Sequence, residues 1–420
     1  MKLADRLRAH SGAGWFFVGN ALPPMVAIVL GPLVLRKVGL ETYAVLGLAT
    51  YFFNLIVAYS DFSTSTHLLA SYARRAPSRH QELGNALALK GTLFVFFAAA
   101  VAVSSRVFPR SDGLYGLLGI FMISVLLPSA NVEWFFLSRK RYKDIFRARI
   151  ASVAIQVLVT LAWFYSARSD ALFVPLSALM AGVAASAVLV RLLGFGPLRS
   201  AVRALQGASF GGATRLLKQI FPVAAVLLVA PYSLAYALPW FSLASPDKKL
   251  VGAFSISYRL VIGAITLVAP GTLYLISRGG GRRARRSLGS ALVSSALLCV
   301  GFWLIGLMIL RFYFALSHLD SGLLPYSVRV FSILNVGLFF LCLRTPYVAD
   351  FISAGKYRTY FMVHLVSCAP TLLLSWMVGK RMPSEWVVWL ACVPEVGATL
   401  LFLFLARWLP LKRDAGNPTG

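Results

Sequence analysis

The sequence predicts an all-α, polytopic membrane protein whose 12 transmembrane helices form two pseudo-symmetric six-helix lobes around a central cavity. The first observation is composition: of 420 residues, 59% are hydrophobic and only 13% are charged, whereas soluble domains carry about a quarter charged residues. The second is that apolar runs of about 20 residues, enough to cross about 30 Å of hydrocarbon, recur along the chain. The third is that short motifs of the first half recur in the second. Together they exclude an ordinary soluble protein.

Twelve apolar runs bounded by charged or turn residues are long enough to span a bilayer. Backbone polar groups in lipid must be satisfied internally, and these runs are too long and too continuously apolar for barrel strands, so each is predicted as a helix. Their even spacing leaves no room for a soluble domain. The predicted spans, numbered 1 to 12, are 13–35, 43–70, 84–104, 113–136, 150–167, 171–193, 219–243, 250–277, 288–313, 323–348, 359–379 and 386–406.

The loops on the two sides of the predicted bundle differ strongly in Lys and Arg content. If the N-terminus lies inside, the inner loops collect most of the 41 Lys and Arg residues, with dense runs at Arg139–Arg149 and Arg282–Arg286. Cytoplasmic loops of membrane proteins carry such an excess, so both termini are predicted to be cytoplasmic. Most of the net charge of +27 is therefore a topology signal, and no nucleic-acid partner is expected.

The chain repeats a motif after slightly more than 200 residues. Between spans 4 and 5 runs Ser138-Arg139-Lys140-Arg141-Tyr142-Lys143, and between spans 10 and 11 runs Ser353-Ala354-Gly355-Lys356-Tyr357-Arg358. We therefore predict an N-terminal lobe (1–194), a cytoplasmic basic linker (195–218) and a C-terminal lobe (219–420). Six helices per lobe give both lobes the same orientation, which predicts a binding site in the cavity between them.

Ionisable side chains inside the spans are the candidate functional residues. Facing lipid, each would cost about 3 to 15 kcal/mol, so they should face protein or water. The cations at depth outnumber the acids, which suits an anionic substrate that Arg can bind bidentately. The candidate substrate-binding cations are Lys90, Arg259, Arg329 and Arg344, and the interior acids are Asp61 and Glu395.

Depth along the spans predicts two pairings. Arg259 and Glu395 each lie about nine residues into spans 8 and 12, which start on the same side, and Asp61 and Lys90 lie at similar depths in spans 2 and 3. Each pair is either part of the transport mechanism or a static link between helices. Glu395 is also a candidate for proton coupling, whereas no oxygen cluster indicates a Na⁺ site, and neither a metal site nor a cofactor is predicted.

Arg147 and Arg149 lie at the inner mouth of span 5, in the densest basic patch. They are either an anchor that attracts anionic lipids or the groups that capture an anionic headgroup at the cytoplasmic mouth.

Several stretches resemble one family of membrane carriers. Asn131-Val132-Glu133-Trp134-Phe135-Phe136 followed by Arg141-Tyr142 resembles the helix 4 stretch and basic loop of the Wzx-type polysaccharide flippases, of the multidrug/oligosaccharidyl-lipid/polysaccharide exporter (MOP) superfamily. The segments 38–45, 59–62 and 251–260 are similar to further motifs of that family. Ala44 and Ser63-Thr64 replace glycines usual in the family, as in a divergent member.

The resemblance implies a flippase that moves undecaprenyl-pyrophosphate-linked oligosaccharide from the cytoplasmic to the outer leaflet of the bacterial inner membrane by alternating access. It implies a role in polysaccharide biosynthesis, of O-antigen or exopolysaccharide. The expected partners are the polyprenyl-pyrophosphate-linked glycan, anionic lipids, and a glycan polymerase or other assembly proteins. The protein itself is expected to be a monomer.

Two other functions are alternatives for a helical membrane bundle of this kind. A multidrug exporter of the same fold would handle organic cations and should have an acidic interior, the reverse of this one. A membrane-embedded glycan polymerase or glycosyltransferase usually needs a long hydrophilic loop with catalytic carboxylates or His, and the predicted outer loops are about ten residues or shorter. The chain is therefore expected not to be an enzyme.

Overall fold

A computed structural model describes residues 3–61, 63–73, 79–107, 113–166, 170–193, 206, 208–226, 248–277, 288–319, 321–378 and 384–408. These residues form 14 α-helices and no β-strand, which confirms the predicted all-α class. In chain order the helices are α1 (Leu3–Val38), α2 (Leu40–Asp61), α3 (Thr64–Ala73), α4 (Arg79–Val107), α5 (Leu114–Val125), α6 (Pro128–Ser138), α7 (Tyr142–Tyr165), α8 (Phe173–Leu193), α9 (Phe210–Ala224), α10 (Lys248–Ser277), α11 (Leu288–Ser317), α12 (Leu323–Ser353), α13 (Tyr357–Val378) and α14 (Ser384–Trp408).

Nine of the described helices are long and apolar enough to cross a membrane: α1, α2, α4, α7, α8, α10, α11, α12 and α14. The chain is thus a multi-pass membrane protein by the length and composition of its helices. α13 corresponds to span 11. Most of span 7 lies outside the described residues, because α9 ends at Ala224 and residues 227–247 are not described. The predicted linker 195–218 is helical from Phe210 onward and otherwise lies largely outside the described residues.

Two spans predicted as continuous are each divided into two helices. Span 2 becomes α2 and α3, because Ser63 adopts a left-handed φ of 59° and the Asp61 carboxylate accepts the Ser65 backbone N–H at 3.3 Å, which caps α3. Span 4 becomes α5 and α6, because Leu127 is extended and Pro128 starts the new helix, where its missing N–H leaves no bond unmade. Local capping therefore overrides apolar continuity at both points.

The repeated motif forms the same turn twice. Lys140 (φ 58°) and Gly355 (φ 71°) are both left-handed and occupy equivalent places after α6 and α12. In each turn the three N–H groups that follow the helix donate to the same carbonyls of its last turn: Arg139 to Phe135, Lys140 to Leu137 and Arg141 to Phe136 in the first, Ala354 to Asp350, Gly355 to Ile352 and Lys356 to Phe351 in the second.

The two ends of the bundle are named here by their turns. The Gly39 end holds the α1–α2 turn, where Gly39 has a φ of 82°, together with the start of α10 and the end of α11. The Gly355 end is opposite and holds the turns at Lys140 and Gly355. Residues 3–193, from α1 to α8, are called the first half, and residues 248–408, from α10 to α14, the second half.

Two apolar cores join the halves. At the Gly39 end, Leu35 and Ala49 of the first half share a core with Phe254 and Leu310 of the second. At the Gly355 end, a second core contains Phe16, Leu69, Phe136, Ile276 and Ile352. α10 lies at the centre, because it packs on α12 of its own half and also on α1, α2 and α3. Any opening between the halves must therefore move the first-half residues of one of the two cores away from α10.

Lys37 fastens α1 to α7 at the Gly39 end. Its Nζ donates to the backbone oxygens of Trp163 at 2.9 Å, Phe164 at 2.7 Å and Ser166 at 2.5 Å. These carbonyls belong to the last turn of α7 and the residue after it, where a helix leaves acceptors without intrahelical donors and the helix dipole favours a cation.

Replacing Lys37 by Met should destabilise the protein by about 1 to 3 kcal/mol, because three carbonyls lose a charged donor. The measurement is the thermal unfolding midpoint in detergent, which should fall. Arg36→Met is the matched control, since Arg36 is the neighbouring cation and is exposed. Equal midpoints for the two variants would show that the Lys37 contacts add no stability.

Candidate functional site: charged groups inside the bundle

Asp61 and Lys90 form an ion pair at the break between α2 and α3. Lys90 Nζ lies 2.5 Å from Asp61 Oδ1 and donates to Ser65 Oγ at 2.9 Å. Ser65 Oγ in turn donates to Asp61 Oδ1 at 2.6 Å, and Thr64 Oγ1 donates to the Asp61 backbone oxygen at 2.6 Å. The Lys90 side chain is only 9% exposed. The predicted pairing is confirmed, and with the Ser65 contact it links α4 to the end of α2 and the start of α3.

Glu395 pairs with Arg344, so the predicted partner, Arg259, is wrong. Arg344 Nη2 lies 2.7 Å from Glu395 Oε2, and the two side chains are 13% and 1% exposed. Thr399, one turn after Glu395 on the same face of α14, donates to the Phe340 carbonyl of α12 at 2.9 Å. That face of α14 therefore points at α12. Depth along a span predicted the position of Glu395 along the membrane normal. It carries no information on which neighbouring helix the side chain contacts.

Arg259 instead lies over an aromatic ring of the first half. Its guanidinium carbon is 3.8 Å from the ring centroid of Tyr43, and Tyr43 shares a hydroxyl–hydroxyl hydrogen bond with Tyr313. The two tyrosines are 1% and 3% exposed. Among the described acidic residues, none forms an ion pair with Arg259. This cation is thus held between the halves by aromatic contact.

Two glycines allow the halves to approach closely around this arginine. A Cβ on Gly31 of α1 would collide with the Tyr313 ring and hydroxyl, and a Cβ on Gly252 of α10 would lie 2.5 Å from Leu40 Cγ. Ser317 Oγ also donates to the Pro32 carbonyl at 3.4 Å. We call the set formed by Gly31, Leu40, Tyr43, Gly252, Arg259 and Tyr313 the Tyr43 seam.

Sequence reasoning missed the tyrosine pair of the Tyr43 seam. Tyr43 and Gly252 lie in the segments 38–45 and 251–260, and the resemblance of these segments to motifs of the flippase family was the available signal. Aromatic residues make up 13% of the chain, so an individual tyrosine carried little information before its partner was known.

Arg329 lies apart from Arg259. Ser327 faces α10, because its hydroxyl donates to the Ala253 carbonyl at 3.3 Å and its carbonyl accepts the Ser257 hydroxyl at 2.8 Å. Two residues further, at about 100° per residue, Arg329 points to roughly the opposite side of α12. Its side chain is exposed there. The structure therefore does not bring Arg329 to the seam between the halves.

The basic patch at the Gly355 end is partly compensated. α7 starts at Tyr142, earlier than predicted, so Arg147 and Arg149 lie in its first turns. Arg149 Nη2 pairs with Glu133 Oε2 of α6 at 2.7 Å. Arg147 Nη1 lies 3.3 Å from Asp144 Oδ1, but its side chain is 62% exposed. Of the two, Arg147 is the one presented outward.

The predicted cations thus occupy separate places rather than one shared group: Lys90 beside Asp61, Arg344 beside Glu395, Arg259 at the Tyr43 seam and Arg329 on the far side of α12. Within the described ranges, no group of three His, Cys, Asp or Glu side chains could hold a metal ion.

Comparison with known proteins identifies the fold. No family model matches the chain, and no curated protein matches its sequence. Solved structures do match over nearly the whole chain. An outward-facing multidrug resistance MATE family transporter of the MOP superfamily aligns with a TM-score of 0.67 at 12% identity, covering 94% of this chain and 95% of that one.

Two further solved structures are similar. The eukaryotic MATE transporter AtDTX14 aligns with a TM-score of 0.66 at 12% identity and 97% coverage of both chains. The lipid II flippase MurJ, in an inward closed conformation, aligns with a TM-score of 0.63 at 15% identity, covering 95% of this chain and 88% of that one. The chain therefore has the fold of MOP-superfamily transporters, and these proteins are transporters and a flippase rather than enzymes.

Replacing Lys90 by Met should destabilise the protein more than the double replacement Asp61→Asn/Lys90→Met. The single change leaves the Asp61 carboxylate, whose side chain is 28% exposed, without its cation, at a cost of about 1 to 3 kcal/mol, whereas the double change removes both charges. Thermal midpoints of the two singles and the double form a double-mutant cycle. Additive losses would mean that the two side chains do not stabilise each other.

Proposed function

We propose that this chain is a flippase that moves an undecaprenyl-pyrophosphate-linked oligosaccharide from the cytoplasmic to the outer leaflet of the bacterial inner membrane by alternating access. The observation that carries the proposal is Arg259, a cation between the two halves whose partner is an aromatic ring. The MOP-superfamily fold supports it, as does the likeness to a lipid II flippase. The resemblance of the sequence motifs to Wzx-type flippases supports the polysaccharide class.

The geometry of Arg259 suits a pyrophosphate. A guanidinium carries five N–H donors in its plane, and a ring over its face occupies none of them. The edge of the Arg259 group can therefore bind two phosphate oxygens while Tyr43 covers the face. Water exclusion in the buried seam strengthens these bonds.

The other interior cations are already compensated. Asp61 offsets Lys90 and Glu395 offsets Arg344, so these pairs carry no net charge toward a ligand. Headgroup binding in the proposal therefore centres on Arg259. Arg344 and Lys90 hold helices in place, and Arg329 has no part in the site.

Entry of the headgroup is assigned to the Gly355 end, which the distribution of basic loops predicts to be cytoplasmic. Arg147 is exposed there and can attract an anionic headgroup, while Arg149 is tied to Glu133. Anionic lipids of the inner leaflet would meet the same side chain. The cytoplasmic termini, the monomeric state and contacts with a glycan polymerase or other assembly proteins belong to this proposal.

A multidrug exporter is the second candidate, because MATE transporters share the fold to a similar degree. An exporter of organic cations requires an acidic group available to the drug. In the described part of the chain, Asp61 and Glu395 each face a cation instead, which favours an anionic substrate. Proton or Na⁺ coupling stays a prediction: the ion pair with Arg344 is by itself a sufficient structural role for Glu395.

Arg259→Gln should reduce transport about tenfold or more, because a bidentate charged contact worth about 1.5 to 3 kcal/mol is lost. The measurement follows how fast lipid-linked oligosaccharide in reconstituted vesicles becomes accessible in the opposite leaflet. Arg259→Lys keeps the charge but not the planar, bidentate guanidinium. Its transport rate should therefore lie between those of Arg259→Gln and the parent protein.

Arg311→Gln is the matched control, since Arg311 is an exposed cation of α11 near the same end. It should transport at the parent rate. Transport by correctly folded Arg259→Gln at that rate would contradict the proposal, and so would vesicles that move organic cations but no lipid-linked oligosaccharide.

A further inference from the structure

Arg259 and the ring that covers it come from different halves of the chain. Tyr43 lies in the first turn of α2, whereas Arg259 lies on α10 and Tyr313 near the end of α11. The contact between Arg259 and Tyr43 therefore exists only while the halves are closed against each other at the Gly39 end. This makes the surroundings of the cation depend on the conformation.

We propose that Tyr43 is a positioning residue that assembles the anion site on Arg259 only when the Tyr43 seam is closed. The headgroup is then bound tightly while the Gly39 end is shut, and it is released when that end opens. The inference rests on the proposed function, because it assigns a state-dependent affinity to the same cation.

The stacking contact orients the guanidinium. Its carbon lies 3.8 Å from the Tyr43 ring centroid, a distance at which the face of the group is covered and only the edges remain for other partners. An arginine on a single helix would otherwise sample many rotamers and lose entropy on binding a planar anion. Tyr43 lowers that entropy loss by holding the guanidinium in place before the anion binds.

Tyr43 is itself fixed by the second half. Its hydroxyl is hydrogen-bonded to that of Tyr313, and both rings are almost completely buried. Tyr313 reaches this place because Gly31 of α1 has no side chain: a Cβ there would lie 3.0 Å from the Tyr313 Cζ atom. The Tyr43 ring, which orients Arg259, is thus held in place by Tyr313, a residue of the same half as Arg259.

Separation of the halves at the Gly39 end dismantles the site in one movement. Tyr43 leaves with α2, Arg259 stays with α10, and the Tyr43–Tyr313 hydrogen bond breaks. Arg259 then loses its orienting face and gains water, so its bonds to an anion weaken. By linkage, an anion bound to Arg259 stabilises the closed seam to the same extent.

The direct test locks the Tyr43 seam by a disulfide between Leu40→Cys and Gly252→Cys. A Cβ at Gly252 would lie 2.5 Å from Leu40 Cγ and 3.2 Å from the Leu40 carbonyl oxygen, so the two backbones already approach closely. Shortening Leu40 to Cys removes the crowding atoms. The background replaces the four native cysteines, Cys299, Cys342, Cys368 and Cys392, by Ala.

The probe is geranylgeranyl pyrophosphate, whose binding to the purified full-length protein is measured by calorimetry. The oxidised, locked protein should bind the probe several-fold more tightly than its reduced form, and it should fail to transport lipid-linked oligosaccharide until it is reduced. Binding retained while transport is lost is a result that simple misfolding would not produce.

Tyr43 variants separate stacking from clamping. Tyr43→Leu removes the ring and should weaken probe binding about tenfold even in the locked protein. Tyr43→Phe keeps the ring and loses only the hydroxyl, so it should match the parent when locked and bind more weakly when unlocked. Tyr165→Leu, at a tyrosine that is 82% exposed, is the control for loss of an aromatic ring.

The outcomes distinguish this inference from the proposed function. Probe binding unchanged by Arg259→Gln would remove the headgroup site and, with it, both proposals. Binding lost in Arg259→Gln but unaffected by the lock and by Tyr43→Leu would overturn only the role of Tyr43. If Tyr43→Leu fails to fold, the lock and Tyr43→Phe decide: equal affinities in their oxidised and reduced forms contradict the inference.

Discussion

A charge inside an apolar helical bundle needs a partner, and the choice of partner organises this protein. A carboxylate compensates Lys90 and Arg344 within their own halves, which turns each into a link between helices. Arg259 instead contacts an aromatic ring across the boundary between the halves, and none of the described acidic residues forms an ion pair with it. The arrangement separates cations that stabilise the bundle from a cation that can act on a ligand.

The central position of α10 exposes Arg259 to changes at the boundary between the halves. The helix packs against α12 along its own half and against α1, α2 and α3 of the other, so it lies in contact with both apolar cores. A cation on α10 therefore experiences any relative motion of the halves. Arg329, by contrast, lies on the side of α12 that points away from α10.

Much of the fold could be predicted from the sequence, because the length of an apolar run and the basic residues of the flanking loops are properties of whole segments. They do not depend on the conformation of any single residue. The ends of α8 and α14 and the start of α12 lie within two residues of the predicted ones, whereas α12 continues five residues beyond its predicted end. The α2–α3 and α5–α6 breaks could not be predicted in this way, since they depend on the φ of Ser63 and on a proline within an otherwise continuous apolar run.

The candidate site was predictable only in part, for a geometric reason. Asp61 and Lys90 lie on consecutive membrane spans, so similar depth was enough to pair them correctly. Glu395 has several neighbouring helices at one depth, and the rotation of α14 that aims it at Arg344 is set by packing contacts such as that of Thr399 with Phe340. The hydroxyl pair of Tyr43 and Tyr313 joins residues 270 positions apart, which local sequence patterns do not reveal.

The twin turns at Lys140 and Gly355 bear on ancestry. A left-handed conformation is free of steric cost for glycine but costs roughly 1 to 2 kcal/mol for lysine. The first turn keeps the left-handed backbone conformation despite that penalty. The backbone conformation is therefore shared by the two turns although the side chain at this position differs. Such a pattern is what gene duplication and fusion leave behind, and the six spans predicted for each lobe would have let the ancestor insert in one orientation and pair as a parallel homodimer.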